Sequence, residues 1–183
     1  MSEELMIRHC SPTLAGLKTG NMFVCSYNSE EELRNNMRRW NRRLSNKGLR
    51  ILPLRYRNHR ALVYVYRPSK LEQDLHQDAA YRLLQLKGYD MRTSERCIAQ
   101  LTRRLGESED FPHEIGLFLG YPPEDVWGFI EKKAEDCKLV GCWKVYGDEE
   151  EARRRFRKFD KCTAVYSKLF ADGRTVEKLT VAG

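Results

Sequence analysis

Phe111-Pro112-His113-Glu114-Ile115-Gly116-Leu117-Phe118-Leu119-Gly120-Tyr121-Pro122-Pro123 is the most apolar segment near the middle of this 183-residue chain. A short apolar run bounded by Pro on one side and Gly-Tyr-Pro-Pro on the other fits a fully buried strand. We read Glu114–Leu119 as that strand, followed by a turn at Tyr121-Pro122 and a helix from Pro123 through Ala134. Adjacent strand residues point to opposite faces, so His113 and Glu114 would not share one pocket. Gly116 and Gly120 weaken a strand unless another group approaches closely. That group is a packed helix or a ligand. The helix start after Pro122 does not suit a phosphate, because Glu124 and Asp125 occupy its first turn.

Working outward, the chain before the centre reads β-α-β-β. Ser11-Pro12 fits a cap and first turn, with a short helical turn over 12–17, and places His9 and Cys10 just before a helix N-terminus. Residues 21–27 form a short strand. Ser29 with Glu32 makes a capping box, and Leu33, Met37, Trp40 and Leu44 form one apolar stripe of a helix that Gly48 ends. Leu49–Tyr56 and Arg60–Tyr66 form strands joined by a turn at 57–59, and Pro53 marks the first as an edge or a bulge. Residues 69–106 read as helical, with Leu71, Leu75, Ala79, Leu83 and Leu86 in one stripe and Ile98, Leu101 and Leu105 in another. Residues 107–110 form a polar loop.

After the centre, 138–146 supply one or two short strands broken at Gly141. Gly147-Asp148 caps a long helix over 149–171, which Gly173 ends. The tail 175–181 is a last strand or a loose end. The fold class is α+β: a small mixed sheet with helices packed on it and a long C-terminal helix, in a single domain over 1–183.

Composition sets further bounds. Hydrophobic residues make 41% and charged residues 32% of the chain, which permits a globular core. No run approaches the roughly 18 apolar residues of a membrane span. The acidic start of the chain is not a secretory signal. Six cysteines, with no Cys-x-x-Cys, read as free thiols of a cytoplasmic protein. Spacing gives no metal site, and no cofactor is indicated.

The net charge is +7, yet residues 34–70 hold twelve Arg or Lys and no Asp or Glu, which leaves −5 for the rest. Arg34, Arg38, Arg39, Arg42 and Arg43 share one helix, and Arg57 and Arg60 flank the hairpin turn. With tyrosines interleaved, this stretch could follow a nucleic acid or another polyanion. The plain alternative is a solvated face.

Three blocks carry a resemblance: His9-Cys10-Ser11-Pro12-Thr13-Leu14-Ala15-Gly16-Leu17-Lys18, the central stretch continued to Asp125-Val126, and Gly141-Cys142-Trp143-Lys144-Val145-Tyr146. Together they resemble an uncharacterised bacterial family, a domain of unknown function common in anaerobic Firmicutes. The resemblance implies no activity. It does place His9, Lys18, His113, Glu114, Lys144 and Tyr146 within the recognisable blocks. From these residues two expectations follow. The first is a pocket for a small anionic ligand, enzymatic or not, where the three blocks meet, with His9, Lys18, Lys144 and Tyr146 binding the ligand. His113 or Glu114 would serve in catalysis, or Cys10 as a thiolate near a helix start. The second is polyanion binding through 34–70.

Overall fold

The computed structural model of the chain describes residues 2–107 and 111–183. The element order is α1 (Glu3–Leu14), β1 (Gly20–Ser26), α2 (Glu30–Leu44), a 3-10 turn (Ser45–Lys47), β2 (Arg50–Arg57), β3 (Arg60–Tyr66), α3 (Pro68–Leu75), α4 (Asp78–Leu86), α5 (Ser94–Glu107), α6 (Ile115–Phe118), α7 (Pro123–Glu131), β4 (Leu139–Val140), β5 (Lys144–Val145), α8 (Glu149–Ala171) and α9 (Val176–Leu179). The fold is α+β, and both sheets are wholly antiparallel rather than mixed. The chain forms two compact units, one of residues 1–69 and 159–183, the other of residues 70–158. Among the described residues no helix is long and apolar enough to cross a membrane.

The first unit is built on a three-stranded sheet of order β1-β3-β2. Alternation sends Phe23, Cys25, Ala61, Val63 and Val65 to one face, where they meet Met6, Cys10 and Leu14 of α1 and Leu33, Met37, Trp40 and Leu44 of α2. The α2 stripe is the one its spacing predicts, and Ser29 caps it by accepting from Glu32 N. β2 is an edge strand whose register shifts between Pro53 and Arg55, the irregularity expected of a proline that cannot donate to a ladder. Asn58 and His59 both turn with positive φ, 48° and 56°, which matches the twist a two-residue hairpin needs.

α1 differs from expectation. The helix starts at Ser2, whose hydroxyl accepts from Leu5 N, and not at Ser11. Glu3 and Glu4 in its first turn favour that start, and Met6, Cys10 and Leu14 recur at a spacing of four. Pro12 lies within the last turn, where its missing N–H costs one bond only. The carbonyls of Thr13 and Leu14 at the helix end accept from Arg67 at 2.7 and 2.8 Å. Arg67 is 2% exposed and also binds the carbonyls of Lys47 and Val181. A buried cation thus satisfies orphan groups at a helix C-terminus and ties the chain's tail to it. That tail is neither strand nor loose: α9 forms there, capped by Thr175.

The second unit is helical with a two-stranded hairpin. The expected single stripe over 71–86 breaks at 76–77, and α4 restarts at Asp78 in a new phase. Leu83 is buried as expected, but with Ala80 and Leu84 beside it in place of Ala79 and Leu86, and Leu86 is 74% exposed. α5 follows its predicted stripe of Ile98, Leu101 and Leu105. Of the loop expected at 107–110, Glu107 ends α5 and 108–110 lie outside the described residues. α8 begins in the second unit and ends in the first.

The centre of the chain is not a strand. Ile115 N bonds to Pro112 O and Leu117 N to Glu114 O, winding α6. All four α6 residues are buried, so the apolar run is the signature of a helix covered on every side. Gly116 makes this possible. A Cβ there would lie 2.8 Å from Val126 Cγ2 and 3.0 Å from Tyr121 Cδ2, so α7 packs directly on its backbone.

Candidate functional site

In the second unit α6, α7 and the β4–β5 hairpin enclose a cavity of about 390 Å³. Phe111, Ile115, Leu119, Tyr121, Val126, Phe129 and Trp143 give it mostly apolar and aromatic walls. Its polar groups are His113, Asp125 and Lys144. The size lies in the range of small-molecule sites, and apolar walls with a few polar groups are their usual composition.

Asp125 sets the hairpin against α7. It is 2% exposed, and its carboxylate accepts from Trp143 Nε1 at 2.6 Å and from the backbone N–H groups of Tyr146 and Gly147 at 2.7 Å each. Three donors compensate the cost of burying the charge. Asp125 is therefore not an exposed acid at the helix start, as its position in the first turn of α7 suggested. Trp143 is fixed in turn by stacking on Tyr121 at 4.8 Å between ring centroids and by an edge contact with Phe156 at 4.5 Å. The Tyr121 hydroxyl donates to Cys142 O, and burial pushes its phenol up to about 12.

The other expected residues separate into two groups. His113 and Lys144 both line the cavity. The His113 ring stands edge-on to Phe129 at 4.9 Å, and Lys144 Nζ donates to Ala134 O at 2.7 Å. Glu114 does not line this cavity, but it lines a smaller neighbouring one together with His113, so the expectation that the two share no pocket fails: they lie in a turn, where strand alternation does not apply. Glu114 is buried and accepts from Tyr89 OH at 3.1 Å and Arg104 Nη1 at 3.3 Å. The Tyr89 phenol is held well above its usual range by burial and by the neighbouring Glu114 carboxylate. Tyr146 does not line the cavity. Its ring fills the space that a side chain at Gly128 would need, with Lys132 Nζ 5.7 Å from its centroid.

The block 9–18 lies in the first unit and is structural in its contacts. His9 stacks on Phe23 at 5.3 Å, and Thr13 Oγ1 donates to Asn21 Oδ1. Lys18 is 8% exposed. Cys10 is wholly buried inside α1, not ahead of a helix N-terminus, and burial drives its thiol far above the ordinary range. A thiol held neutral in the core lacks the thiolate that nucleophilic attack needs. All six cysteines are free. Among the described residues no cluster of three or more His, Cys, Asp or Glu is arranged to hold a metal.

On the basic stretch, Arg38, Arg39 and Arg42 lie on the exposed side of α2, and Arg57 and Arg60 are exposed at the hairpin tip. Among the described residues, none of these five pairs with a carboxylate. Arg34 and Arg43 differ: Arg34 pairs with Glu30 at 3.3 Å, and Arg43 binds both Glu177 and Glu3.

Of the cavity's walls, sequence reasoning singled out His113 and Lys144; Phe111, Tyr121, Asp125 and Trp143 fell within the blocks expected to meet without being singled out, and Phe129 lay outside them. One signal was available. A Trp needs a partner for its indole N–H when buried, and Asp125 is an acid followed directly by the apolar Val126-Trp127.

The chain belongs to the family described as protein of unknown function (DUF3793), which matches residues 6–180. No curated protein and no solved structure matches it.

Proposed function

We propose that this member of a family without an assigned activity binds a small organic anion with a largely apolar body, in the cavity between α6, α7 and the β4–β5 hairpin. The observation that carries this reading is that His113 and Lys144, 31 positions apart, line one cavity whose other walls, Asp125 aside, are aromatic and aliphatic. Apolar walls supply affinity by removing ligand surface from water, and the few polar groups supply orientation. Of the earlier candidates, His113 is the one titratable group lining this cavity suited to proton transfer, and a binding role requires none. The site belongs to the second unit alone, so His9, Lys18 and Cys10 have no part in it.

The test uses two fluorescent probes of one shape: uncharged N-phenyl-1-naphthylamine and its sulfonate, anilinonaphthalene sulfonate. Both should bind the full chain saturably, at one site. Leu119→Trp fills the cavity from a half-buried wall position and should weaken both probes about tenfold or more, with the thermal midpoint preserved. Non-saturating uptake, or equal binding by Leu119→Trp, would overturn the reading.

A second reading rests on the first unit. The apolar stripe of α2 is wholly buried, which turns Arg38, Arg39 and Arg42 outward without carboxylate partners, and Arg57 and Arg60 are exposed on the hairpin of the same unit. Axial rise places Arg38 and Arg42 about 6 Å apart along the helix. We propose that this face takes a nucleic-acid backbone. A lipid surface is the poorer fit, because a membrane-lying helix needs an apolar face to insert.

A further inference from the structure

A smaller cavity of about 230 Å³ adjoins the first, with Phe111 and His113 in the walls of both. Its other walls include Lys87, Arg104, Glu114 and Ile130. We infer that the two cavities form one bipartite site: the larger holds the apolar body of the ligand and the smaller its anionic end. The ligand class is then an elongated amphiphile with one terminal carboxylate, sulfonate or phosphate. This rests on the reading of the larger cavity given above and adds where the charge sits.

The polar groups of the larger cavity are a poor seat for an anion. The Lys144 ammonium is engaged by Ala134 O, and the Asp125 carboxylate is among the groups that line the same cavity. The smaller cavity has the opposite balance. Its one carboxylate, Glu114, is buried and already met by Tyr89 and Arg104. The Arg104 guanidinium lies over the Tyr89 ring at 4.6 Å and donates to Glu114 and to Lys87 O, which uses two of its five N–H groups and fixes its plane. The remaining donors and the Lys87 ammonium suit a terminal anion. His113, exposed on the shared wall, stands where the apolar body would meet the charged end.

The probe pair separates this inference from the one it rests on. In the full chain, the sulfonate should bind more tightly than the uncharged amine. Lys87→Met should weaken the sulfonate about tenfold and leave the amine unchanged, and Lys87→Glu should weaken the sulfonate further. Lys144→Met should alter the preference little. If Lys144→Met removes the preference and Lys87→Met does not, the anion sits in the larger cavity and the bipartite site is wrong, while the cavity reading stands. If neither variant changes the preference, the smaller cavity holds no charged end. If the amine itself fails to bind saturably, both readings fall together.

Discussion

At the scale of single residues, the second unit's buried acids show how position decides role. Asp125 and Glu114 are both buried, and Glu114 is a catalytic candidate on sequence alone. Each is instead held by donors: Asp125 by an indole and two amides, Glu114 by a phenol and a guanidinium that share its Oε1. A carboxylate in such a setting holds its neighbours in place. His113 remains exposed on the cavity wall and can meet a ligand. In the first unit His9 gives a pH test of the packing. Partial burial, with Arg8 beside it, lowers its pKa below the usual value. A His with a lowered folded pKa stabilises the fold above its unfolded pKa of about 6.5, and the contribution is lost as pH falls through the folded value. Denaturant titrations at successive pH values should therefore show wild-type stability falling from about pH 7 to pH 5. His9→Phe, which keeps a ring to stack on Phe23, should lose less over that interval. A steeper acid loss in the variant would contradict the assignment.

At the scale of elements, what the sequence made legible was whatever carried a local signal. α2 has a cap, an acidic first turn and a clear period, and it forms as read. Pro53 announced the bulge in β2. The 57–59 turn was also placed correctly, and it yields a prediction. His59 holds φ 56°, a region that costs an L-residue about 1 kcal/mol and costs Gly little. His59→Gly should stabilise the first unit by a few tenths to about 1 kcal/mol in equilibrium unfolding, net of the lost ring contact with Tyr27. Destabilisation would mean that the Tyr27 contact outweighs the backbone strain. The errors arose where no local signal exists. An apolar run such as Ile115–Leu119 has no period of its own, so strand and buried helix look alike until α7 is seen packed on Gly116. Ser11-Pro12 imitates a helix start, while the true start lies at Ser2. The break between α3 and α4 has no Gly or Pro to mark it. The candidate site was half legible for the same reason. His113 and Lys144 stood out by residue type, but no spacing in the sequence brings Trp143 to Asp125 or Lys87 to His113. Only the packing of distant segments does that.

At the scale of the whole molecule, charge and cavity lie in different units. The basic face belongs to the first unit, on α2 and the β2–β3 hairpin, and the candidate pocket to the second. The two proposed functions can therefore be tested independently. Replacing Arg38, Arg39 and Arg42 together by Gln should weaken binding of a labelled DNA strand and of a duplex. The slope of log affinity against log salt should become shallower by about 2 units for the strand and about 3 for the duplex if all three contact phosphate. Arg103→Gln, an exposed change in the second unit, should leave both slopes unchanged. Equal binding by wild type and the triple variant at about 50 mM salt would remove nucleic acid from the first unit's role. Preferential retention on anionic lipid vesicles would assign the face to a membrane surface.

The most direct measurement for the cavity uses its own indole. Trp143 donates its Nε1–H to Asp125 inside the cavity wall, whereas Trp40 is buried in the core of the first unit and Trp127 lines a separate groove beside α4. In a nitrogen–proton correlation spectrum of the full chain, saturating N-phenyl-1-naphthylamine should shift the Trp143 indole resonance strongly and leave those of Trp40 and Trp127 in place. An unchanged Trp143 signal, or a uniform shift of all three, would contradict a ligand seated between α6, α7 and the β4–β5 hairpin.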